Sequence, residues 1–151
     1  MAVSLGGDDD DEFAVAAKPQ RGKAVALMNR VFVAFANEDQ VCRDRLEAQA
    51  KEKRSRFDFV DISEEEPWKQ DWQNRVRSRI RGCDGVIALL SPHTYRDPGE
   101  RYEMQCANEE HVPLIGLQVT AGQSLQLPPE LVGKPVIEQT WDGIVRWLNS
   151  L

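Results

Sequence analysis

The stretch Gly85-Val-Ile-Ala-Leu-Leu-Ser91-Pro-His-Thr-Tyr95, followed shortly by Arg101-Tyr-Glu103-Met104, decides how the rest of the chain reads. An uninterrupted apolar run that stops at a serine is the signature of a central strand buried on both faces. Pro98 and Gly99 then announce a helix, with Glu103 expected in its first turn. In open parallel sheets, ligands sit above the carboxyl ends of the strands. Glu103 is therefore expected beside a ligand crevice.

Working outward, strand and helix patterns alternate. Residues 31–36, Val-Phe-Val-Ala-Phe-Ala, are apolar on both faces and read as a buried first strand. Residues 40–53 read as a helix with Val41, Leu46 and Ala50 as its apolar stripe. Residues 57–62 alternate in part, as an edge strand does. After the polar run 63–67, Trp68, Trp72, Val76 and Ile80 recur at intervals of four and predict a helix with one apolar face. The interleaved Arg75, Arg77, Arg79 and Arg81 read as its solvated flanks, with a patch for phosphate or a partner as the alternative. A fourth strand is expected at 113–118, a short fifth at 135–137, and a closing helix at 141–148 with Ile144, Trp147 and Leu148 inward. Such alternation, joined by right-handed crossovers, predicts an α/β fold. With an edge-like second strand, it becomes a flavodoxin-like three-layer sandwich whose five-stranded parallel sheet has the order 2-1-3-4-5.

Composition narrows the function classes. A net charge of −6 over 151 residues argues against electrostatic capture of nucleic acid or anionic lipid. No apolar run approaches a membrane span and no secretory signal is recognisable, so the cytoplasm is the expected compartment. Residues 1–27, with the acidic run Gly6 to Glu12, read as a solvated, flexible leader, and 28–151 as the folded domain. Cys42, Cys83 and Cys106 form no close pair, and His93 and His111 are the only imidazoles, so no metal site is expected and the thiols read as small buried groups.

In the predicted strand order the sheet reverses direction between strands one and three. Their carboxyl ends deliver Phe35, Ala36, Asn37 and Asp39 on one side and Ser91 on the other, with Asp61 nearby at the end of strand two. Two roles are open to Asn37 and Asp39, capping the next helix or touching a ligand. No glycine-rich phosphate cradle occurs, which disfavours a Rossmann dehydrogenase or a P-loop nucleotidase. A phospho-receiver is disfavoured too, because Leu90-Ser91 stands where strand three would end in aspartate.

Taken in order, Val31 to Phe35, Ile80 to Pro92 and Arg101 to Met104 resemble the Toll/interleukin-1 receptor (TIR) domain over about residues 29–151, nearest its bacterial TIR-like branch that includes the Thoeris anti-phage sensor subunit. The resemblance implies one of two activities. Many TIR domains are non-catalytic assembly modules that pair with other TIR chains or with themselves. Others take NAD as substrate, with no further cofactor, and break its nicotinamide-ribose bond to give ADP-ribose or a cyclic product. In defence systems that product acts as a signal to a downstream effector. A glutamate after strand three is essential in the catalytic kind, and Glu103 matches it. The family's usual tryptophan and cysteine are replaced here by Gly99 and Glu100, while Tyr102 adjoins the glutamate as in the TIR-like branch. Phe35 or Tyr102 is then the expected stacking surface for nicotinamide. NAD glycohydrolysis is the leading expectation, an assembly module the alternative, and nucleotide sensing without turnover a third.

Overall fold

A computed structural model describes residues 29–53, 57–60, 71–120, 122 and 125–151. The apolar run Gly85–Leu90 is strand β3, buried at every position. It lies between β1 (Asn29–Ala34) and β4 (Leu114–Gln118), with β2 (Phe57–Val60) outside β1. All of these pairings are parallel. A three-residue β5 (Val136–Glu138) extends the β4 edge, also in parallel, completing the order 2-1-3-4-5. β5 adds little core, since Val136 is exposed and Ile137 only half-buried.

Strand alternation divides the apolar side chains between two layers. Phe32, Ala34, Val86, Ala88 and Leu90 face α2 (Trp72–Arg81) and α3 (Pro98–Glu109), where Val76, Ile80, Met104 and Ala107 meet them. The other face presents Val31, Val33, Ile87 and Leu89 to the cluster holding Leu46 and Ala50 of α1 (Gln40–Glu52) and Ile144 and Leu148 of α4 (Trp141–Leu148). Burying each of these large side chains contributes about 1.5–3 kcal/mol relative to exposure. The two layers together with the sheet form the expected sandwich.

Several local expectations change. Val41 is 59% exposed, so the inward stripe of α1 is Leu46 and Ala50 with the buried Arg43. Arg43 reaches core depth by pairing with Glu47 one turn on, at 2.6 Å. The α2 arginines are not simply solvated. Arg77 binds Glu109 at 2.7 Å and Glu110 at 3.0 Å, while Arg81 binds Glu110 at 2.9 Å, so the row clamps α2 to the end of α3. Those two guanidinium groups hold the Glu110 carboxyl at about 2. Of the thiols only Cys106 is fully buried. Trp68, Asp61 and the polar run 63–67 lie outside the described residues.

Candidate active site

Two loops meet above the carboxyl edge of β1 and β3. After β1, the Ala36 carbonyl accepts from Asp39 N at 2.8 Å and closes a 3-10 turn over Asn37–Asp39. That turn leaves Asp39 buried, where Ser91 Oγ donates to its Oδ2 at 2.5 Å. Ser91 Oγ in turn accepts from His93 N at 3.0 Å. Ser91 N donates to Thr94 Oγ1, whose own proton goes to Leu89 O. The serine is thus the knot of the loop, and Asp39 anchors it from the neighbouring strand. Neither Asn37 nor Asp39 caps α1 through its side chain.

The cap that does form belongs to Asp97. Its Oδ1 accepts from Glu100 N at 2.8 Å and its Oδ2 from Asn37 N at 3.2 Å. One carboxylate therefore starts α3 and ties it to the β1 loop. Asp97-Pro98-Gly99-Glu100 carries a readable signal for this, with a capping acid, proline at the first helical position and glutamate at the third. With Asp97 as the cap, Glu100 occupies the first turn and Glu103 the second, one turn later than expected. The helix dipole acts mainly within the first turn, so it does not account for Glu103.

These two acids dominate the electrostatics. Glu100 is 1% exposed, and neither carboxyl oxygen has a hydrogen-bond partner among the described residues. Burial pushes it up to about 10, and the nearby carboxylates of Glu103, Asp97 and Asp39 add to the effect. The Thr94 hydroxyl beside it offsets only part of that rise. Glu103 is half-buried, and no hydrogen bond or ion pair holds it among the described residues. Burial first, and Asp97 second, raise its carboxyl well above the ordinary range. The sequence reading did not single out Glu100 or Asp97 as part of the site.

The other expected residues divide. Tyr102 packs toward α2, its hydroxyl donating to Gln73 O at 3.2 Å and its ring 5.6 Å from that of Trp72. Phe35 packs against the opposite layer with α1 and α4, so the two proposed stacking rings lie on different sides of the sheet. Ala36 is fully buried, and Asn37 is exposed. Two cavities open around this region. The first, of about 380 Å³, is lined by Asp71, Trp72, Asn74, Gly99 and Tyr102 among others. The second, of about 320 Å³, includes Ser91, His93, Arg96 and Asp97. Glu103 is not among the described lining of either. No group of three His, Cys, Asp or Glu side chains among the described residues is placed to hold a metal ion. No helix among them is long and apolar enough to cross a membrane.

Known proteins place this architecture. The family model for the TIR domain matches residues 31–142. Among solved structures, the TIR domain of the Toll-related receptor TRR-2 from Hydra magnipapillata superposes with a TM-score of 0.55 at 15% identity, covering 79% of this chain and 92% of that one. A prokaryotic SEFIR domain gives 0.53 at 12% identity, covering 81% and 88%. The SEFIR domain of interleukin-17 receptor B gives 0.52 at 13%, covering 81% and 93%. No curated protein sequence matches the chain. The chain belongs to the TIR domain family.

Proposed function

We propose that this TIR-family chain takes NAD as its substrate and breaks the bond between nicotinamide and ribose, giving ADP-ribose or a cyclised product that serves as a signal, in the manner of the bacterial defence branch. The observation that carries the reading is Glu103, a half-buried carboxyl with no counter-charge among the described residues, at the position the resemblance marks as essential. A carboxyl in that state complements a cation, and the reaction develops one. As the C1′–N1 bond breaks, its electron pair goes to the pyridinium nitrogen, nicotinamide leaves neutral, and positive charge builds on the ribose as an oxocarbenium ion. A fixed carboxylate facing that charge lowers the barrier, and each ~1.4 kcal/mol it supplies is about tenfold in rate. Water then adds at C1′ and releases a proton, or an adenine nitrogen attacks instead to close the ring. Neither route asks for a strong general acid, which agrees with the absence of histidine partners to Glu103.

The test is nicotinamide release from NAD, measured on the assembled full chain for wild type, Glu103→Gln and Glu103→Ala. Release by wild type, abolished in both variants, is expected. Equal release by all three would remove Glu103 from the mechanism. No release from any, with association intact, would leave an assembly module. That second reading has its own support in Val132 and Val136, apolar side chains exposed beside the open edge of β5.

A further inference from the structure

The open edge of β5 is complementary to itself. In the parallel pairing of β4 and β5, Gly116 lies opposite Val136, and its N–H donates to Pro135 O at 2.9 Å. Backbone groups alternate in direction along extended chain, and Lys134, preceding a proline, is held extended too. Pro135 and Ile137 therefore turn their backbone groups toward β4, while the Lys134 carbonyl, Val136 and Glu138 turn theirs outward. No strand of the described residues lies beyond them. Two groups at this edge are used within the chain. Lys134 N donates to Leu131 O at 3.0 Å, and Glu138 O accepts from Thr140 N at 2.8 Å. The Lys134 carbonyl, both groups of Val136 and the Glu138 N–H stay open among the described residues.

Lysine and proline ordinarily blunt an exposed edge, yet neither blocks this one. Pro135 lacks its N–H on the side facing β4. Lys134 has a counterpart in Glu138. Turning a second β5 through a two-fold axis at Val136 sets Lys134 of each strand opposite Glu138 of the other. Side chains directly opposite on antiparallel strands are in contact, and opposite charges there attract. Both residues are exposed, and no ion pair holds either among the described residues. Val136, 38% exposed, meets its own copy on the axis, and Val132, 67% exposed and extended just before the strand, continues the apolar strip. The hydrogen bonds match as well. Each Val136 N–H meets the other Val136 carbonyl, and each Glu138 N–H meets the other Lys134 carbonyl. The groups such a ladder leaves over, Lys134 N–H and Glu138 O, are the ones already bonded inside the chain.

We propose that β5 pairs antiparallel with β5 of a second copy of this chain, joining two sheets into one across a two-fold axis at Val136. The inference does not rest on Glu103 or on the glycohydrolase reading. It fixes what a general tendency of TIR chains to associate leaves open, namely the contact, its register and its closure. A two-fold contact uses the same patch on both copies, so assembly stops at the dimer. Strands this short give a small interface, and the dimer is correspondingly weak and concentration-dependent.

Sedimentation equilibrium of the full chain, from about 10 μM to about 1 mM, should show a monomer–dimer equilibrium. Lys134→Glu places two acids opposite each other at both ends of the seam, and Glu138→Lys places two lysines there. Each should weaken self-association by roughly tenfold, with the unfolding midpoint unchanged because both side chains are exposed. The double swap Lys134→Glu with Glu138→Lys should restore wild-type affinity. An equimolar mixture of the two single variants should form a mixed dimer tighter than either variant makes alone, since only there does every acid face a lysine. Glu103→Gln should dimerise as wild type does, so the pairing and the glycohydrolase fail separately. A wild type that stays monomeric over the whole range, growth beyond the dimer, or single variants that associate as tightly as wild type overturns the pairing. A mixture no tighter than its components overturns the register on which the pairing stands.

Discussion

Glu100→Gln should make the domain more stable at neutral pH, an unusual direction for a change in a fully buried side chain. The Glu100 carboxyl is pushed up to about 10 from an ordinary 4.5, chiefly by burial. A raised folded value means that the folded state keeps a proton that the unfolded chain has released. Stability from this group is therefore complete below about pH 4.5 and declines as pH rises toward 10. At pH 7 the unfolded acid is favoured by about 2.5 pH units of ionisation, which costs the fold about 3 kcal/mol. That figure depends only on pH and on the unfolded value, provided the folded carboxyl titrates above 7. Against a typical domain stability of about 5–15 kcal/mol it is a large share. Glutamine has nearly the shape of the neutral acid and cannot ionise in either state, so the penalty should vanish. Urea unfolding at pH 4, 5, 6, 7 and 8 measures it. The variant and wild type should coincide near pH 4, then diverge by about 1.4 kcal/mol per pH unit above pH 5. A difference independent of pH, or a variant less stable at pH 7, would refute the argument. Glu103 titrates in both proteins and cancels in the difference.

Glu103→Gln should abolish nicotinamide release while leaving the unfolding midpoint at pH 7 unchanged or higher, because its carboxyl is also raised by burial; a lower midpoint would mark a structural role. Binding of a cationic nicotinamide ligand should drive a proton off that carboxyl, so the calorimetric enthalpy should vary with the ionisation enthalpy of the buffer in wild type and not in Glu103→Gln. Ser91→Ala removes the hydroxyl that donates to the buried Asp39 and should cost about 1–3 kcal/mol in denaturant unfolding; Asp39→Asn in the same background should recover part of the loss. Gly85→Ala drives a Cβ to 2.6 Å from Trp147 Cη2 and 3.0 Å from Cζ2, and should cost about 1–3 kcal/mol by displacing α4; Trp147→Leu should relieve it.

The fold was legible because its signals are periodic. Two apolar runs, Val31 to Ala36 and Gly85 to Leu90, can hardly be anything but strands covered on both faces, and the four-residue spacing of Trp72, Val76 and Ile80 outweighed the shorter alternation of arginines. What sequence spacing could not supply was the partner of each polar side chain. Arg77 and Arg81 looked solvated because Glu109 and Glu110 lie about 30 residues away, and only the packing of α2 on α3 unites them. Asp39 was open to two roles, capping the following helix or touching a ligand, and its buried partner is Ser91, 52 residues on. Asp97 carried a readable capping signature, and weighing it would have placed Glu103 in the second turn.

Burial is the term that most separates reading from structure at the site. In sequence, Glu100 and Glu103 are two ordinary acids on one helix, three residues apart, and the dipole explanation applies to both. In the fold that explanation serves only Glu100, whose buried oxygens nonetheless have no hydrogen-bond partner among the described residues. Glu103, a turn further on, is half-buried and has no partner among the described residues. Other partly buried acids have a guanidinium beside them, Glu130 with Arg101 and Glu110 with Arg77. The acids at the end of α3, Glu109 and Glu110, are thus paired with Arg77, whereas Glu100 and Glu103 have no such partner among the described residues. Helix propensity and packing account for neither choice. On the proposed glycohydrolase reading, a cationic ligand at Glu103 would account for one, and a neutral Glu100 would add no second negative charge beside it.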